Sequence, residues 1–84
     1  MITVKLFGVL RLDSGVKELV LDVKTVREIF PFVLEEARRL NPGTKVTKQD
    51  VEGCIIAVNC KKAGPRTKLK SGDVVYLAPA VAGG

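Results

Sequence analysis

The feature that most constrains the fold is a change of hydrophobic period near residue 25. Before it, apolar residues alternate with polar ones: Ile2, Val4 and Leu6 against Thr3, Lys5 and Phe7, then Leu19, Leu21 and Val23 against Val20, Asp22 and Lys24. A period of two is that of a strand with one buried face. After it, Val26, Ile29, Phe30, Val33, Ala37 and Leu40 recur at spacings of three and four, which draws one apolar stripe along a helix. A single amphipathic helix can cover only one face of a sheet. The chain must therefore solve its packing with one side of the sheet buried and the other partly open.

Local signals fill in the frame. Asp13-Ser14-Gly15 is turn chemistry, so the first two strands are expected to form an antiparallel hairpin across a short turn. Thr25 and Glu28 stand at capping-box spacing, each side chain able to satisfy the other's free N–H. Pro31 removes one helical hydrogen bond, and a kink or a short first turn restarting at Pro31 is expected. Glu35 and Arg39 are spaced for an i,i+4 ion pair, and Asn41-Pro42-Gly43 ends the helix. The polar stretch 44–53 reads as a connection. "CIIAVN" at 54–59 is a short apolar run suited to a strand buried on both faces. Residues 61–70 read as a loop with a turn at Gly64-Pro65, and "VVYLA" at 74–78 is the last strand, stopped by Pro79. Alternation turns Val75 and Leu77 inward and places Val74 and Tyr76 outward beside Phe7. That outward face is the candidate docking surface.

Composition excludes several classes of chemistry. The chain of 84 residues contains no histidine, so it cannot build a Ser-His or Cys-His nucleophile pair by itself. Its two cysteines fall short of the four ligands of a structural zinc site, and no metal site is expected. Cys54 and Cys60 would lie roughly 20 Å apart in an extended segment, which leaves Cys54 as a buried thiol and Cys60 as a loop thiol. No glycine spacing of a phosphate or dinucleotide loop is present. No apolar run approaches the length of a membrane span, and a signal-peptide pattern is missing, so a cytoplasmic protein without a membrane partner is expected. The net charge is +5, with Lys61, Lys62, Arg66, Lys68 and Lys70 in one stretch. Such a stretch suits nucleic acid or an acidic protein face. The absence of aromatic residues in it argues against nucleic acid.

The C-terminal residues carry a more specific signal. "VKLF" near the start, "AVN" at 57–59, "LKSGDVV" at 69–75 and "PAVAGG" at 79–84 stand in an order that resembles the ubiquitin-like β-grasp sulfur carriers. Within these, the chain is most similar to the small-subunit family of molybdopterin synthase. One departure is that Ala78, Pro79 and Ala80 stand where that family often has an aromatic residue and two prolines. The resemblance implies an α+β fold of ubiquitin-like β-grasp type, a four-to-five-stranded mixed sheet with one main helix packed on one face. It implies a domain at 1–78 and a flexible Gly-Gly tail at 79–84.

It also implies a non-catalytic carrier subunit of a sulfurtransferase complex. An E1-like adenylating enzyme would join AMP to the carboxyl of Gly84, and a sulfur donor would convert it to a thiocarboxylate. The large subunit of molybdopterin synthase would then receive the tail. ATP and the sulfur donor would act through the activating enzyme, with no cofactor bound by this chain. Val81 is expected to anchor the tail, with Ala82 and Gly83 keeping it thin for a narrow channel and Pro79, Phe7 and Tyr76 completing the partner contact. Other acceptors share this tail: thiamine thiazole, thiolated tRNA and cysteine synthesis. A protein modifier joined to target lysines through Gly84 is a further alternative, as is a small RNA-binding module using the basic stretch.

Overall fold

The computed structural model describes residues 1–80. Five strands and three helices follow one another as β1 (Ile2–Leu6), α1 (Gly8–Ser14), β2 (Glu18–Leu21), α2 (Ile29–Leu40), α3 (Lys48–Glu52), β3 (Ile55–Val58), β4 (Lys61–Ala63) and β5 (Val74–Ala78). The strands form one sheet in the order β2-β1-β5-β3-β4. β1 and β5 run parallel at its centre and every other neighbour pair is antiparallel. This mixed five-stranded sheet carrying one main helix is the α+β arrangement of a β-grasp domain.

Alternation along the strands sets the core. Ile2, Val4 and Leu6 are buried, and the register aligns Val4 with Leu19 and Val75, and Leu6 with Leu77. Ile56 extends that row across β3. From α2, Val26 just ahead of it and then Ile29, Phe30, Val33 and Ala37 close the same core. Leu40, the last residue of the expected stripe and of the helix, is 48% exposed.

The start of α2 explains how Pro31 is accommodated. Glu28 accepts from the N–H groups of Lys24 and Thr25 at 2.7 and 3.2 Å, its half of the expected capping box. The Thr25 side chain faces the Glu28 N–H to complete the box, and that N–H also donates to the Thr25 carbonyl at 3.3 Å. A 3-10 turn over Val26–Glu28 results, and the α-helix restarts at Ile29, two residues before Pro31. The proline thus occupies the first turn, where its missing N–H would have had no partner.

The structure corrects several sequence expectations. The short turn between β1 and β2 is the seven-residue helix α1, although the two strands do pair antiparallel. Leu10 and Ser14 sit at i,i+4 and are both buried, and Gly15 closes the helix with φ 76° and an N–H donated to the Arg11 carbonyl at 2.9 Å. Ser14 Oγ accepts from the Val16 N–H at 3.0 Å, so this polar residue is satisfied inside the core. The connection after α2 contains α3, with a complete capping box between Thr47 and Asp50 at 2.9 and 3.2 Å. β3 is buried on one face only, for Ile55 is 50% exposed while Ile56 is buried. Part of the expected loop at 61–70 is strand β4, and Arg39 pairs with Glu36 at 2.6 Å rather than with Glu35. The misses at α1 and β4 lie where packing or pairing with a distant segment decides the local state.

Candidate functional site

The face of the sheet opposite α2 carries the candidate site. Register places Glu18, Lys5, Tyr76, Ala57 and Lys62 in one row across all five strands on that face. Phe7 follows β1 with the same parity. Its ring stacks on Tyr76 with centroids 5.7 Å apart and planes 26° from parallel, an offset geometry that aromatic pairs favour. Phe7 is 40% exposed and its N–H donates to the Leu77 carbonyl at 3.0 Å. The backbone is therefore held by the sheet while the ring stays at the surface. Ile55, opposite Ala78 on β3, and Val20, opposite Thr3 on β2, extend the apolar surface. Sequence reasoning did not select these two. The parity of Ile55 within "CIIAVN" was the available signal, hidden by reading that strand as buried on both faces.

Beside this face lies the root of the C-terminal segment. Pro79 leaves β5 directly over Gly8, where an added Cβ would stand 3.2 and 3.3 Å from the Pro79 ring carbons. Gly8 has φ +60°, a backbone state that side chains with a Cβ rarely adopt. A cleft of about 240 Å³ opens next to Pro79 and Ala80, between α1 and α3, with Leu10 and Val46 on its apolar side and Asp13 and Asp50 on its polar side. Of the residues singled out from the sequence, the structure thus brings Phe7 and Tyr76 into contact and seats Pro79 at the end of β5. Val81, Ala82, Gly83 and Gly84 lie outside the described residues.

Among the described residues no group of three His, Cys, Asp or Glu side chains is placed to hold a metal ion. Cys54 is buried and burial pushes its thiol up to about 11, while Cys60 is exposed, and both are free. Asp73 is the one strongly engaged carboxylate near the lysine-rich segment. The Lys70 N–H and then the Asn59 amide, each at 2.8 Å, hold its carboxyl below the ordinary range. This tie closes the β3–β4 hairpin against the start of β5. No described helix is long and apolar enough to cross a membrane.

A β-grasp sheet with an open apolar face, next to the root of a C-terminal segment, defines the class: the chain has the ubiquitin-like sulfur carrier fold. It belongs to the ThiS family, whose sequence model matches residues 4–84. Among solved structures, it is similar to a Pyrococcus furiosus protein described as molybdopterin converting factor subunit 1, with 26% identity over 95% of this chain and 97% of that one and a TM-score of 0.70. The small archaeal modifier protein 1 from Methanosarcina acetivorans is 25% identical over 99% of this chain and 95% of that one, with a TM-score of 0.71. A chain of the Helicobacter pylori complex of molybdopterin-converting factor subunits 1 and 2 is 26% identical over 99% and 97% of the two chains, with a TM-score of 0.59. No curated protein sequence is matched.

Proposed function

We propose that this protein is a sulfur carrier whose terminal glycine is loaded as a thiocarboxylate and serves as the small subunit of a molybdopterin synthase, in the cytoplasm. The observation that carries the reading is the ThiS family match, which runs through Gly84 and so includes the Pro-Ala-Val-Ala-Gly-Gly sequence. A free carboxyl of Gly84 is an anion at neutral pH and a poor electrophile. Activation in this reading is by attack of that carboxylate on the α-phosphorus of ATP in an E1-like enzyme. Pyrophosphate leaves and an acyl adenylate forms. A hydrosulfide equivalent from the sulfur donor then attacks the acyl carbon and expels AMP, leaving the thiocarboxylate.

Residues 79–84 would carry that group to the large subunit, with Val81 as an apolar anchor and Ala82 and Gly83 admitting the backbone to a narrow channel. Phe7 and Tyr76 would seat the partner on the sheet. Two loaded carriers would each pass one sulfur to a cyclic pyranopterin monophosphate, water returning each Gly84 to the free carboxylate, to build the dithiolene that holds molybdenum or tungsten. Adenylation and sulfur transfer are the partners' catalysis.

The likeness to a small archaeal modifier protein favours a second reading, in which Gly84 forms an isopeptide bond with target lysines. One experiment separates them. The chain is incubated with ATP, an E1-like enzyme and a sulfur donor, and its intact mass is measured. An oxygen-for-sulfur mass change, lost on deletion of Gly84 and in Gly83→Ala, is expected. Adducts of higher mass that survive reducing agent would instead establish the modifier. Unimpaired loading of the Gly84 deletion would overturn both.

A further inference from the structure

The carrier reading assigns no role to a cluster of lysines at one edge of the sheet. Lys61 and Lys62 on β4, with Lys68 and Lys70 on the returning segment, wall a groove of about 400 Å³ whose floor includes the half-buried Val58 and Ala63. All four lysines are exposed, and none has a carboxylate within ion-pair distance among the described residues, where the salt bridges are Lys5–Glu18, Glu36–Arg39 and Lys48–Glu52. The acidic residue on the groove is Asp73, and its carboxylate is already taken up by Asn59 and the Lys70 N–H.

The walls are held in place. Leu69 donates to the Lys24 carbonyl at 2.8 Å and packs on the core, and Val26 donates to the Thr67 carbonyl at 3.0 Å. The segment carrying Lys68 and Lys70 is therefore fixed to the start of α2. Four like charges fixed around one concavity raise the local potential and favour a ligand that brings negative charge.

We propose that this groove binds an acidic segment of a partner protein. Three observations favour a carboxylate-bearing peptide. No aromatic side chain lines the groove, whereas single-stranded nucleic acid relies on such stacking platforms. β4 is the terminal strand of the sheet, so an extended peptide can lie along its open edge. Lys62 stands opposite Ala57, which stands opposite Tyr76, while the floor residues Val58 and Ala63 take the other parity, so the groove wraps the β4 edge and reaches the apolar face at Lys62. A partner seated on Phe7 and Tyr76 thus meets Lys62 at its rim and reaches the other lysines around the β4 edge, where charge governs association rate and salt dependence. The identity of that partner rests on the carrier reading; the affinity of the groove for carboxylates does not.

The test uses the full chain and two fluorescein-labelled probes, an octaglutamate peptide and an oligouridylate RNA of equal charge, read by anisotropy at low ionic strength. The peptide is expected to bind, to release with added salt, and to shift the backbone amide resonances of residues 61–70. Simultaneous Lys61→Glu, Lys62→Glu, Lys68→Glu and Lys70→Glu should weaken it by about tenfold or more, since four exposed charge pairs are reversed together. A charge-matched control, Arg11→Glu, Lys17→Glu, Arg38→Glu and Lys45→Glu, should retain most of the binding, and so should the Gly84 deletion. Circular dichroism confirms that both quadruple variants fold. An unfolded quadruple variant is replaced by acetylation of lysines mapped to the groove, with the same expected loss. Equal loss in the two quadruple variants, resonance shifts elsewhere, or tighter binding of the RNA would each overturn the proposal. Failure of thiocarboxylate loading with intact peptide binding would overturn the carrier reading alone.

Discussion

Two residues show how single side chains, or their absence, hold the site together. Gly8 combines φ +60° with the close approach of Pro79. Gly8→Ala adds a Cβ to a left-handed backbone, a cost of about 1–2 kcal/mol, and pushes against the ring at the root of the C-terminal segment. Chemical denaturation should show that loss, and the Pro79 resonances should move; an unchanged midpoint would refute the contact. Asp73 is held below its ordinary value of 3.8 by the Lys70 N–H and the Asn59 amide. Its folded form therefore releases the proton more readily than its unfolded form. That contribution to stability is complete above the ordinary value and is lost as pH falls through it toward the lower folded value. Asp73→Asn should lower the melting temperature at neutral pH and flatten its decline in acid. A decline as steep as in the wild type would place the acid sensitivity elsewhere, with Glu28 and Glu36 the other lowered carboxyls.

Among the elements, α2 sets the polarity of the whole sheet because its buried stripe decides which strand face is core. Ile29 is fully buried and Phe32 is 47% exposed on the same helix. Ile29→Ala should cost roughly 2–5 kcal/mol through lost burial and a residual cavity, whereas Phe32→Ala should fall within about 0.5 kcal/mol. Comparable losses measured by denaturation would mean the helix is rotated. This stripe was legible from spacing alone, since helix periodicity is a local property. The shorter elements were not. Leu10, Ser14 and Gly15 mark α1 only once Ser14 is seen buried and accepting from the Val16 N–H, and β4 is three residues of lysine and alanine made into a strand by pairing with β3.

At the scale of the molecule, core and candidate docking face are separate surfaces of one sheet. Phe7 lies across the backbone from the buried Leu6 and touches Tyr76. Phe7→Asp should therefore destabilise the fold by no more than about 1.5 kcal/mol, the worth of an aromatic pair, while weakening capture by the proposed large-subunit partner. Denaturation and surface plasmon resonance on the same variant separate the two effects; unfolding would show that the ring is core. The same division explains how much of the candidate site could be read in advance. Parity along β1 and β5 was enough to put Phe7 and Tyr76 on a shared face. Ile55, Val20 and the lysine groove needed the order of the strands, because residues from three or more segments compose them.

What the sequence by itself determined is everything encoded by near neighbours: the strand faces, the α2 stripe, the absence of histidine chemistry, and the order of motifs that marks the family. Only the tertiary structure decided that β5 inserts between β1 and β3, that a helix replaces the first turn, and that four lysines share one groove. The reason is physical. Periodicity and capping are settled within a few residues, whereas strand order and grooves depend on contacts between segments that the chain must first bring together.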